Sequence, residues 1–172
     1  NIDRAIKKSL DKDTINYDQM RYEGFGPAGT SIIVEALTDN RNRTASNVRS
    51  TFQKFGGSLG ETGSVSHAFK HYGFLKFTKD ITTEDEFFNF SIENGAEDCF
   101  LEEDEYEAVC LPDALSKFYD LLAAKYGEPV SSGFQWKPDI LVKLEGDNLK
   151  SLINLINELD SDEDVLHIFS NF

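Results

Sequence analysis

Apolar and polar positions follow two rhythms along this chain, one of period near 3.6 and one of period 2, and their succession predicts the elements. At the start, NIDRAIKKSLDKD places Ile2, Ala5, Ile6 and Leu10 at helical spacing, with Arg4, Lys7 and Lys8 on the other side. Between Tyr17 and Gly29 the rhythm stops, and Gly24, Gly26, Pro27 and Gly29 predict a tight loop. SIIVEAL is a compact β signal with Glu35 as its only charge. TDNRNR is the expected turn after it, with Thr44 expected at a helix N-cap. Ala45, Val48, Phe52 and Phe55 then form one apolar face, Arg49, Gln53 and Lys54 stay on the solvent side, and Gly56-Gly57 stops the helix. GSVSHAFKHYG alternates, which predicts a strand with Val65, His67 and Phe69 on one face.

From Gly73 a new order begins: strand FLKFT, helix TTEDEFFNFSIENG, strands EDCFLEE and EYEAVCL, helix PDALSKFYDLLAAKYG, strand VSSGFQWK. This βαββαβ order is solved most simply by a four-stranded antiparallel sheet with two helices on one face, a ferredoxin-like arrangement. The chain ends with a helix carrying Leu149, Leu152, Ile153, Leu155, Ile156 and Leu159, and a strand, VLHIF. Both are surplus to the βαββαβ unit, and they would complete the thin core of residues 30–71. The expected fold class is α+β. A ferredoxin-like domain, residues 73–137, is expected as an insertion into a discontinuous α+β domain, residues 22–72 plus 138–172, and residues 1–21 read as the last helix of a preceding unit and a linker.

Charge then divides the chain. The formal net charge is −14. Residues 1–71 carry ten Lys/Arg against eight Asp/Glu, and residues 72–172 carry seven against 23. A mildly basic working half joined to an acidic half is one reading, and an acidic solvated surface is the other. Arg41, Arg43, Arg49 and Lys54 gather at one helix start and its exposed face. Helix N-termini and guanidinium forks favour phosphate oxygens, so the cluster suits a nucleic-acid backbone as well as a plain solvated surface. The neighbouring phenylalanines lie on the core face, which argues against base stacking there.

Other chemistry finds little support. GFGPAG lacks the Lys-Ser/Thr of a phosphate loop and precedes a strand. His67 and His71 on a strand would lie roughly 13 Å apart, too far to share an ion, so neither a metal nor another cofactor is expected. Cys99 and Cys110 have no metal-spaced partners and are expected to be reduced core thiols. No G-x-S-x-G or HExxH occurs, the acidic pairs fall in turns and helix starts, and no enzyme or small-molecule substrate is expected. No apolar run approaches a membrane span and no signal-peptide pattern is present, so the expectation is a soluble intracellular protein without membrane contact.

The motifs YEGFGPAG, EALTDNRNRT, VRSTFQKFGGSLGETGSVSHAFKHYG, ENGAED and DEDVLHIFSNF, with NIDRAIKK at the start, resemble the YebC family of PmpR-type regulators collinearly over the whole chain. The resemblance implies three domains: a basic helical bundle, an α+β domain, and a ferredoxin-like domain inserted into it. NIDRAIKK is similar to the last helix of the first, so most of that domain is expected to lie upstream, and Lys7 and Lys8 join Arg41, Arg43, Arg49 and Lys54 as expected nucleic-acid contacts. The implied function is non-enzymatic regulation of gene expression in the cytoplasm. A DNA-binding transcriptional regulator is the first form. A factor acting on messenger RNA or the ribosome, like the family's mitochondrial translational activator of a cytochrome oxidase subunit, is the second.

Overall fold

A computed structural model describes residues 16–172. Expectations for the helix NIDRAIKKSLDKD, with Lys7 and Lys8, lie outside the described residues. The chain divides into two compact units. One takes the described residues up to Lys70 together with Lys137–Phe172, and the other is His71–Trp136. Each holds a four-stranded sheet, which makes the protein α+β.

In the first unit, strands β1 (Asp18–Phe25), β2 (Ser31–Thr38), β3 (Ser58–Leu59) and β8 (Val165–Ser170) take the order β3-β1-β2-β8. The apolar strand β2 is central, antiparallel to β1 along its length and to β8 on its other edge. Helices α1 (Arg41–Lys54) and α4 (Gly146–Ser161) cover one face. Tyr22, Ile32, Val34 and Ala36 of the sheet meet Val48 and Phe52 of α1 and Leu152, Leu155 and Leu159 of α4 in one core. Each large apolar side chain buried there contributes about 1.5–3 kcal/mol. Ile153 is left outside, 46% exposed.

Three local expectations are corrected. The segment Tyr17–Gly29, expected as a loop, is mostly strand β1, and only Pro27–Gly29 turns, with Ala28 at φ 58° and Gly29 at φ 75°. Pairing with β2 decides the matter, because each residue from Asp18 to Phe25 finds a partner between Ser31 and Thr38. Gly24 sits in this strand because the chain is crowded: a Cβ there would lie 2.8 Å from both the Phe52 ring and the Ser58 carbonyl oxygen. Gly24→Ala is therefore expected to lower stability by about 1–3 kcal/mol, measurable by urea unfolding.

The N-cap of α1 is Asn40, whose Oδ1 accepts from the Arg43 N–H at 3.1 Å. Thr44, expected at that position, is instead a fully buried residue of the first turn, its hydroxyl donating to Asp164. Thr38 and Asp164 give that hydroxyl partners inside the protein, so it does not serve the helix end. The strand expected over residues 63–73 begins only at Phe69. Ser66–Ala68 forms a 3-10 turn, and β4 (Phe69–Thr78) runs on through FLKFT.

Glu23 explains that turn. It lies on the face of the sheet away from the helices and is 1% exposed. Its carboxylate accepts from the backbone N–H groups of Gly63 (2.7 Å), Val65 (3.3 Å) and Ser66 (2.6 Å), with Arg21 Nε at 3.5 Å. The Glu23 carbonyl also accepts from Gly60 N–H at 2.8 Å. Burial pushes the Glu23 pKa up, but the hydrogen bonds from Gly63, Ser66 and Val65 outweigh it and leave the group below its ordinary value.

In the second unit, β4 is followed by α2 (Glu84–Glu93), β5 (Asp98–Glu102), β6 (Glu105–Cys110), α3 (Leu115–Tyr126) and β7 (Ser131–Pro138). The sheet order β5-β6-β4-β7 with this βαββαβ succession is the ferredoxin-like arrangement. Thr83 caps α2, and three acidic residues occupy its first turn, where the helix dipole favours them. Leu75, Phe77, Tyr106, Ala108 and Cys110 of the sheet pack on Phe87, Phe118 and Leu122, with Phe87 stacked on Tyr106 at 5.0 Å. Cys99 and Cys110 are free thiols, and burial pushes each up to about 11, which keeps them protonated and unreactive near neutrality.

Candidate nucleic-acid interface

Helix α1 contains no Asp or Glu in 14 residues, although the chain as a whole carries 31. Its orientation follows from Thr44, Val48 and Phe52, which are buried and fix the inward side. The spacing i, i+4, i+7, i+11 then turns Asn42, Ser46, Arg49 and Gln53 into one stripe, and all four are exposed. The side chains of the stripe donate and accept hydrogen bonds and bring one positive charge.

The basic residues expected to act together are held differently. Arg41 reaches across to β1, its Nε 3.5 Å from Asp18 and 3.3 Å from the Met20 sulfur. Arg43 Nη2 is 2.8 Å from Asp39 and 2.9 Å from Asp164. Lys54 Nζ is 3.2 Å from Glu158 of α4. Arg49 lies on the exposed stripe, on a different side of α1 from Arg43 and Lys54, which are eleven residues apart and so nearly in line.

Around the N-terminus of α1 the field is negative. A groove of about 590 Å³ there is lined by Tyr17, Asn47, Arg43 and the four acidic residues Asp39, Asp162, Glu163 and Asp164. Hydrogen bonds from Arg43 to Asp164 and to Asp39 raise the guanidinium pKa further, so it stays charged. Among the described residues four carboxylates there face one guanidinium, a balance that disfavours phosphate and offsets the attraction of the helix end. Asp164 is 6% exposed and also accepts from the Thr44 hydroxyl at 2.7 Å and the Thr38 hydroxyl at 3.4 Å. Arg43 is thus a structural residue that ties α1 to the turn before β8.

Sequence reasoning placed Arg49 and Gln53 on the solvent side of this helix but did not join them with Asn42 and Ser46 into one stripe. Their spacing opposite Val48 and Phe52 was the available signal. His67, on the 3-10 turn, has Nδ1 3.2 Å from the Gly63 carbonyl oxygen, and His71 stacks on Trp136 with ring centroids 4.4 Å apart. No helix among the described residues is long and apolar enough to cross a membrane.

A ferredoxin-like βαββαβ unit interrupting the sequence of an α+β unit, with an acid-free helix on the latter, defines a class of two-unit α+β protein. The chain belongs to the TACO1/YebC family of transcriptional regulators, whose model for the second and third domain matches residues 17–172. It is similar to a conserved hypothetical protein, Aq1575, from Aquifex aeolicus. The two share 30% sequence identity with a TM-score of 0.84, over 99% of this chain and 76% of that one. The family is a regulatory one.

Proposed function

We propose that the protein is a non-enzymatic regulator of gene expression that binds nucleic acid, duplex DNA in the first instance, through the exposed stripe of α1. The observation that carries this is the absence of acid from α1 in so acidic a chain, with Asn42, Ser46, Arg49 and Gln53 aligned on its outer side. Arg, Asn and Gln are the side chains that pair with base edges, and Arg also meets phosphate. The family's description as transcriptional regulators supports DNA as the target.

Arg49→Glu is expected to weaken duplex binding about tenfold and to lower the salt slope by about one, read by fluorescence anisotropy at several salt concentrations. Unchanged affinity in this variant would remove α1 from the interface. A second reading, an RNA- or ribosome-associated translation factor, is favoured by the ion pairs that occupy Arg41, Arg43 and Lys54. They leave little charge for clamping a duplex. Co-sedimentation with ribosomes that Arg49→Glu abolishes, together with no duplex preference over random sequence, would decide for it.

A further inference from the structure

The βαββαβ unit carries a surface that the nucleic-acid reading leaves unused. Residues 71–136 hold 15 Asp/Glu and four Lys/Arg. Between α3 and β7 lies an open groove of about 360 Å³, lined by Pro112, Leu115, Tyr119 and Phe134 and by the exposed carboxylates Asp113 and Asp120. Phe134 is 49% exposed, an unusual state for an aromatic ring on a strand. It is not a loose side chain. Phe134 and Trp136 project from the same side of β7, and His71 of the neighbouring β4 stacks on Trp136 and lies 5.9 Å from Phe134, so the three rings form one cluster across the two strands. β7 is also a sheet edge, hydrogen-bonded to β4 and to no other strand among the described residues.

We infer that this groove and edge bind an extended basic segment of another protein, added to the sheet as a fifth strand beside β7. The backbone of the segment pairs with the outer side of β7 over Ser131–Gln135, where no other described strand is hydrogen-bonded. Because side chains on a strand alternate, one apolar residue enters between Leu115, Tyr119 and Phe134, and basic residues two positions before and after it reach Asp113 and Asp120. Charge selects the occupant. A second copy of this unit would bring the same excess of carboxylates, and a nucleic acid would bring phosphates, so both are repelled. This inference is independent of the nucleic-acid reading, because it uses no residue of α1.

The test uses the whole chain and a dye-labelled heptapeptide, Thr-Arg-Thr-Leu-Thr-Arg-Thr, with a control in which both Arg are Glu. The expected result is saturable binding of the Arg peptide and none of the Glu peptide. Phe134→Ala, and separately Asp113→Lys with Asp120→Lys, are each expected to weaken binding about tenfold. Both variants change exposed side chains, and if one of them fails to fold the other still decides. Amide exchange at Ser131–Gln135 is expected to slow when the Arg peptide is present. No binding of the Arg peptide at about 1 mM in low salt overturns the inference. So does equal affinity in both variants, or slowed exchange confined to other strands.

Discussion

Glu23→Ala is expected to lower the stability of the first unit by about 3–4 kcal/mol and to free the segment Gly60–Ser66 from the sheet. The carboxylate accepts three backbone N–H groups and faces Arg21, and with the side chain gone these donors lose their acceptor in a site where Glu23 itself was 1% exposed. Hydrogen bonds to an ionised acceptor are the stronger kind, and of the three donors Val65 is the one itself buried, so its N–H incurs the desolvation penalty most fully. Glu23→Gln keeps the shape and one oxygen but turns an NH2 group toward donors, and about 2 kcal/mol is the expected loss.

The same group sets an acid limit. Its folded pKa lies below the ordinary value of 4.5, so its contribution is fully present above that value and is lost as pH falls through the folded one. Urea midpoints measured from pH 7 down to pH 3 should therefore fall below about pH 4.5 in the parent and fall less in Glu23→Gln. Equal stability of Glu23→Ala and parent would show that the loop does not depend on this carboxylate. Hydrogen exchange at Gly63, Val65 and Ser66 separates local release from global unfolding.

Glu23 also shows where the sequence stops being legible. Its strand is hidden by the glycines of YEGFGPAG, which locally read as a turn, and only pairing with β2 makes the segment extended. Nothing near Glu23 in the chain announces a buried acid, because its donors come from about forty residues further on. Where burial has a period, the reading is direct: SIIVEAL, the faces of α1, α3 and α4, and the βαββαβ succession all follow from apolar spacing, and with them the α+β class. Thr44 misled because a hydroxyl near a helix start serves equally as a cap or as a buried donor, and Asp164, 120 residues away, decides which. The candidate interface divides in the same way. The concentration of arginines was visible locally, but their neutralisation by Asp18, Asp164 and Glu158 depends on tertiary pairing.

Asp164→Ala is expected to cost about 3 kcal/mol, while Arg43→Ala costs about 1 kcal/mol and changes nucleic-acid affinity less than about threefold. Asp164 is the buried partner: without it the Thr44 hydroxyl keeps only Thr38 and Asn40, the Arg43 guanidinium keeps only Asp39, and α1 loses its tie to the start of β8. Arg43 is the half-exposed partner, 47% accessible at its side chain, so its loss leaves Asp164 still bonded to Thr44 and close to water through the groove. A double-mutant cycle between the two should give a coupling of about 1–2 kcal/mol, and its unfolding arm needs no ligand. The binding arm compares Arg43→Ala with Arg49→Glu. If α1 binds through its outer stripe, only Arg49→Glu has a large effect, because Arg43 is already neutralised by two carboxylates and its removal takes little free charge from the surface. Should Arg43→Ala lose as much affinity as Arg49→Glu while unfolding at the parent's midpoint, the guanidinium must leave Asp164 for phosphate on binding, and the contact surface would then be the N-terminus of α1, not its stripe.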